Sequence, residues 1–152
     1  GGSAIEVYLE GMLRTGDLDV VYPRAALKET LKAWHFNRGY GLRSWVNEDL
    51  GLAVDSVGEE LSGSYDLVTT ITTDFGPALI VGIEDLILKR LASAKFWKAP
   101  SDMEQAYLLA KAHEGDSNWE YLEVEARKRD LTNYLNRLKR MIGSLGKGDK
   151  AR

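Results

Sequence analysis

The residues whose types and spacing invite chemistry are acidic. In TGDLDVVY, Asp17 and Asp19 stand one residue apart. On a strand, side chains alternate faces, so these two carboxylates point the same way and lie side by side. Like charges that close repel unless a cation sits between them. Hard cations such as Mg²⁺ take oxygen ligands and are held by one or two carboxylates together with substrate phosphates, so the pair suits a metal and a nucleotide. An Asp-x-Asp at a strand end is also what a solubilising turn looks like, so the pair needs its surroundings.

Those surroundings add two features. Upstream, Gly1, Gly2 and Ser3 lead into a helical pattern with Ile5, Tyr8, Leu9 and Met12 on one side. Glycine lets backbone N–H groups approach a phosphate, and a helix start adds partial positive charge; the same triplet is also linker-like in composition. Downstream, the apolar run LGLAVDSVG carries Asp55. A third carboxylate there completes a metal cluster, acts as a base on an attacking hydroxyl, or simply forms a turn.

Glycine-glycine-serine at a helix start, Asp17-Leu18-Asp19 on a strand and a later strand aspartate together resemble the nucleotidyltransferase superfamily with the polymerase beta-like fold. The stretch GIEDLILKRLASAKFWKAPSDMEQAYLLAKAH, followed by NWEYLEVEARK, is similar to small prokaryotic nucleotidyltransferase-fold proteins related to the toxin component of abortive-infection toxin–antitoxin pairs. The resemblance runs over about residues 1–140. It implies that Gly2 and Ser3 hold a nucleoside triphosphate, that Asp17 and Asp19 bind Mg²⁺ or Mn²⁺, and that Asp55 is the third carboxylate. It further implies that Lys89 or Arg90 touches the triphosphate, with Asp102 at the start of the next helix. The expected reaction moves a nucleoside monophosphate from a nucleoside triphosphate to a hydroxyl of RNA or protein. The other reading is a catalytically inactive module on the same fold that binds nucleotide, RNA or a partner protein.

The elements that must position these residues change character near residue 83. Helix is expected over 3–12, 24–37, 83–97, 101–114, 118–128 and 131–142, and strand over 17–22, 41–46, 50–57, 65–73 and 77–81. The fold class is therefore α+β: a mixed sheet with flanking helices over 1–82, a helical lobe over 83–145, and a flexible tail over 146–152. The expected active site lies between the two lobes. Pro23 suits a first helical turn, Ser101 with Glu104 and Ser117 with Glu120 read as capping boxes, and Gly143 as a left-handed helix end.

Charge divides the same way. Residues 1–85 hold 6 Lys/Arg against 14 Asp/Glu, and residues 86–152 hold 14 against 9, giving −8 and +5 and the total of −3. An acidic half suits cations and a basic half suits polyanions, although two solvated faces of opposite sign give the same numbers. The basic residues Arg127, Lys128, Arg129, Arg137, Lys139 and Arg140 recur at helical spacing, as a wet helix face or an RNA-gripping one. Trp34, Trp45, Trp97 and Trp119 are expected mainly as core anchors, with base stacking as the alternative.

Other function classes fall away. With no cysteine there is no disulfide framework and no thiol nucleophile. Two histidines, His35 and His113, each near an expected helix end, are too few for a histidine-built metal site and read as cap or surface residues. Apolar stretches such as residues 78–83 fall short of the ~20 residues that span a bilayer, so a soluble, cytoplasmic protein without a membrane partner is expected. The oligomeric state stays open.

Overall fold

A computed structural model describes residues 2–13 and 15–145, so Gly1, Arg14 and the tail over 146–152 lie outside the described residues. The chain is α+β and divides into two compact units, residues 1–65 and 66–152.

The first unit is a four-stranded mixed sheet with two helices. Helix α1 (Gly2–Tyr8) precedes β1 (Asp17–Val21), and α2 (Arg24–Ala33) leads to β2 (Asn37–Arg38), β3 (Ser44–Asn47) and β4 (Leu52–Gly58). The spatial order is β1-β4-β3-β2; β1 runs parallel to β4 and the other pairs are antiparallel. Its core is Leu27, Leu31, Phe36, Trp45 and Val54, with Val20 against them. The residues of β4 alternate accordingly: Val54 and Ser56 are buried, and Ala53 and Asp55, which point the other way, are half-buried. Arg24 begins α2 with no cap from Pro23; the Glu59 carboxylate accepts the Arg24 N–H at 2.9 Å instead.

Helix α2 stops at Ala33, four residues before the expected end, and the mechanism is explicit. His35 adopts φ 60°, its N–H donates to the Lys32 carbonyl, and the Phe36 N–H donates to the Leu31 carbonyl. That is a Schellman ending, with the buried Phe36 and Leu31 as its usual apolar accompaniment. The freed Asn37 and Arg38 then pair with β3. Glu10 ends α1 and Asp130 ends α5 in the same left-handed way, at φ 50° and 54°.

The second unit opens with a hairpin, β5 (Thr69–Thr73) and β6 (Gly76–Ile80), which forms its own two-stranded sheet. The sequence division after residue 82 grouped this hairpin with the larger sheet; it forms a separate sheet and lies in the unit of the four helices that follow it. Four helices follow: α3 (Ile83–Trp97), α4 (Pro100–Ala112), α5 (Trp119–Lys128) and α6 (Thr132–Leu145). Helix α3 is the central one, with every residue from 83 to 88 buried. It begins at Gly82, where a Cβ would fall 2.6 Å from the Leu67 carbonyl oxygen, so only glycine fits. Leu131, Leu135, Leu138 and Ile142, spaced four, three and four, supply the buried stripe leading into and along α6.

Three expected helix ends are corrected. Pro100 occupies the first turn of α4 with Ala99 as its cap, so Ser101 lies inside the helix. Asn118, not Ser117, caps α5: its side chain accepts the Tyr121 N–H at 2.9 Å, and the Ser117 hydroxyl donates back to the His113 carbonyl. Gly143 continues α6 instead of ending it. His113 and His35 are cap residues, as expected. No helix among the described residues is long and apolar enough to cross a membrane.

Candidate active site

The acids of the first unit meet through sheet register. Asp19 is the direct partner of Asp55 across the parallel β1–β4 pair, and Asp17 is the partner of Ala53. In a parallel pair, residues in register share a face, and Asp17 shares it with Asp19 by alternation. That face is the one opposite Val20, Trp45 and Val54. Ser44, partner of Asp55 on the other side, shares it too. The carboxylates therefore sit where the core leaves the sheet free for polar groups; Asp19 and Asp55 are half-buried and Asp17 is exposed.

Two hydroxyls fasten the start of this site. Thr15 donates to the Asp17 carboxylate, and Ser3 donates to the Asp17 backbone carbonyl. The Thr15 N–H donates to the Glu6 carboxylate of α1 at 3.2 Å. Gly2 packs against this loop: a Cβ there would lie 2.9 Å from the Thr15 hydroxyl oxygen and 3.1 Å from its Cβ. A side chain at position 2 would therefore crowd Thr15, a packing role that the sequence reading of a phosphate loop did not foresee. The Ser3 hydroxyl likewise has a protein partner.

Donor chemistry at the sheet suits a hard cation, being all oxygen. Among the described residues, however, no three His, Asp or Glu side chains come together as a metal-holding group. The fit is to a pair of carboxylates that takes its remaining ligands from substrate phosphates, rather than to a ready protein cage.

In the second unit, Lys89 is exposed on α3. Arg90 and Asp102 are brought together by the packing of α3 on α4, but as partners of each other. Their ion pair measures 3.0 Å with side chains only 17% and 13% exposed, and the Arg90 Nε is buried without a hydrogen-bond partner. Within the basic cluster, Lys128 and Arg129 pair with Glu125 and Lys139 pairs with Glu123, while Arg127, Arg137 and Arg140 are exposed. The pairing holds the Glu123 and Glu125 carboxyls below their ordinary range, through hydrogen bonds from Lys139 to Glu123 and from Lys128 and Arg129 to Glu125.

Sequence reasoning missed a second set of acids. Glu84 and Asp85, in the first turn of α3, are each 4% exposed. Glu84 accepts the Asn118 N–H at 2.7 Å, and Asp85 accepts the Tyr121 hydroxyl at 2.9 Å with the Arg129 guanidinium 3.9 Å away. Burial, with the Asp85 hydrogen bond next, pushes the Tyr121 hydroxyl up to about 12. The available signal was two adjacent acids interrupting the otherwise apolar run from 77 to 88. They bolt the start of α3 to the start of α5.

No protein-family model matches the chain, and no curated protein or solved structure matches it. The functional reading therefore rests on the residues and their geometry.

Proposed function

We propose that the chain is a metal-dependent nucleotidyltransferase of the polymerase beta-like fold, transferring a nucleoside monophosphate from a nucleoside triphosphate to a hydroxyl of RNA or protein in the cytoplasm. The observation that carries the reading is the register of Asp19 with Asp55, on the sheet face that Asp17 shares. Asp17 and Asp19 would hold Mg²⁺ or Mn²⁺ together with the substrate phosphates, and the ion would supply positive charge against the charge that grows on those phosphates. Asp55 accepts the proton of the acceptor hydroxyl as its oxygen forms the new bond to the α-phosphorus; the bond from that phosphorus to pyrophosphate breaks, and pyrophosphate leaves with the electron pair. Thr15 fixes the Asp17 carboxylate, and Ser3 fixes the strand beneath it.

The test is incubation with labelled nucleoside triphosphates, Mg²⁺ and total RNA or protein. Label is expected in the acceptor with wild type and not with Asp17→Asn. Absence of label with wild type, or equal label with the variant, overturns the proposal.

Two observations favour a second reading, a non-catalytic binding module of a toxin–antitoxin type system: no three-carboxylate group is formed among the described residues, and Arg90 is ion-paired with Asp102. That module binds nucleotide or partner equally well with and without metal, and with Asp19→Asn.

A further inference from the structure

The last two turns of α3 carry a feature that the transferase reading does not use. Phe96 is 67% exposed and Trp97 is 80% exposed, although the same helix buries nearly everything in its first half. Large aromatics are the side chains that gain most from leaving water, so two adjacent ones left in solvent mark a surface that something else covers. Of the four tryptophans expected as core anchors, only Trp45 is buried; Trp97 is the most exposed.

The charge around this pair decides the chemistry of its occupant. From residue 86 to 99 the chain has four basic residues and no acid. Arg90 is spent on Asp102 and Lys95 on Asp130, which leaves Lys89 and Lys98. Lys89 is exposed and lies seven residues before Phe96, hence two turns along the same side of the helix. Lys95 places its ammonium 5.2 Å from the centre of the Phe96 ring while binding the Asp130 carboxylate. Lys98, exposed at the helix end, stands in the left-handed conformation at φ 52°, immediately after Trp97. Flat π surfaces bordered by cations, without a nearby unpaired acid on the same helix, complement a chain of alternating bases and phosphates.

We propose that this end of α3 is a docking surface for single-stranded RNA, in which bases stack on Phe96 and Trp97 and the backbone phosphates lie along Lys89 and Lys98. The choice of RNA rests on the proposed transfer to a hydroxyl acceptor; the stacking surface itself does not. Such platforms tolerate many sequences, because every base presents a π face.

The experiment measures fluorescence anisotropy of a labelled single-stranded RNA of about 12 nucleotides, without nucleoside triphosphate, using the full chain and its Asp19→Asn variant. Equal binding by both is expected, so a failed transferase assay leaves this result intact. Trp97→Ala and Phe96→Ala are each expected to weaken binding by about 5- to 100-fold, and Trp97→Phe to restore most of it. Lys98→Gln is expected to lower the salt slope of log K by about 0.7, one released counterion on a single strand. Circular dichroism unchanged in these surface variants keeps the comparison valid. The proposal is overturned by no binding in wild type, by a Phe96→Ala/Trp97→Ala double variant that binds as well as wild type, or by duplex RNA binding as tightly as single strands. Sedimentation showing a wild-type dimer that this double variant dissociates also overturns it, since the face then belongs to a second copy of the chain.

Discussion

Asp19 and Asp55 stand side by side across two strands, half-buried, on the face their sheet turns away from its core. Glu84 and Asp85 stand side by side along a helix, 4% exposed, and each ends on a donor from α5. Both sets place two acids next to each other in the backbone framework, yet they are arranged for different ends. A buried acid persists only where hydrogen bonds replace its water, so the second set is held by the fold and holds the fold. The first set keeps partial access to solvent and to anything that approaches the sheet. Adjacency of acids is thus no guide to function on its own; what meets the carboxylate oxygens is.

The comparison breaks most visibly at Asp102, a residue expected at the triphosphate and found on Arg90. Removing it leaves a mostly buried guanidinium without its counter-charge. Asp102→Ala is expected to cost about 3–5 kcal/mol in chemical denaturation, whereas the double variant Arg90→Met/Asp102→Leu restores most of that loss. A stable single variant would return Asp102 to the list of ligand-binding residues. Asp19→Asn comes next and runs the other way. Label transfer should fall by about 10²–10³-fold, comparable to removal of one electrostatic stabiliser of a transition state. Asp85→Asn should show the converse pattern, a stability loss of about 1.5–3 kcal/mol, the worth of a hydrogen bond to a charged group, with stacking at Trp97 unaffected.

How far the sequence foretold this depends on the range of the interaction. Helix α3 ends at the residues that its pattern predicts, 83 and 97, because apolar periodicity and the turn around Lys98 are local. The expected end of α2 at residue 37 overran because His35, like Glu10 and Asp130, takes the left-handed position here, and these residue types do not announce a helix end as glycine does. Pairing of Asp19 with Asp55 is a matter of parallel register between strands 36 residues apart, which spacing does not encode. For Glu84 and Asp85 the surrounding apolar run hints at burial, but acids in a first helical turn also read as solvated dipole partners, and it is Asn118, Tyr121 and Arg129 that decide between the two. The close approach of Thr15 to Gly2 depends on how one loop folds back on α1.

The smallest effect distinguishes the two sets by pH. Tyr121 titrates near 12 in the folded chain against 10 for the free side chain, first because of burial and then because its proton is held by Asp85. A folded pKa raised above the unfolded one means that the native state keeps a proton the unfolded state releases. The corresponding stability is complete below pH 10 and drains away as pH rises toward 12. At the acid end the surface pairs act with the opposite sign. Glu123, Glu125 and Asp130 have depressed pKa values owing to hydrogen bonds from lysines and, for Glu125, Arg129 as well. Their stabilisation is present above the ordinary carboxylate range and is lost as pH falls below it, weakly and in a salt-sensitive way, because these pairs face water. Tyr121→Phe removes the group whose titration drives the alkaline loss at this site. Comparing urea midpoints of wild type and Tyr121→Phe from pH 9.5 to 12, together with tyrosinate absorbance, checks the assignment. The two midpoints are expected to converge as pH rises, with one late-titrating tyrosine missing from the variant; parallel midpoints across that window would mean that the Tyr121–Asp85 bond does not secure α3 to α5.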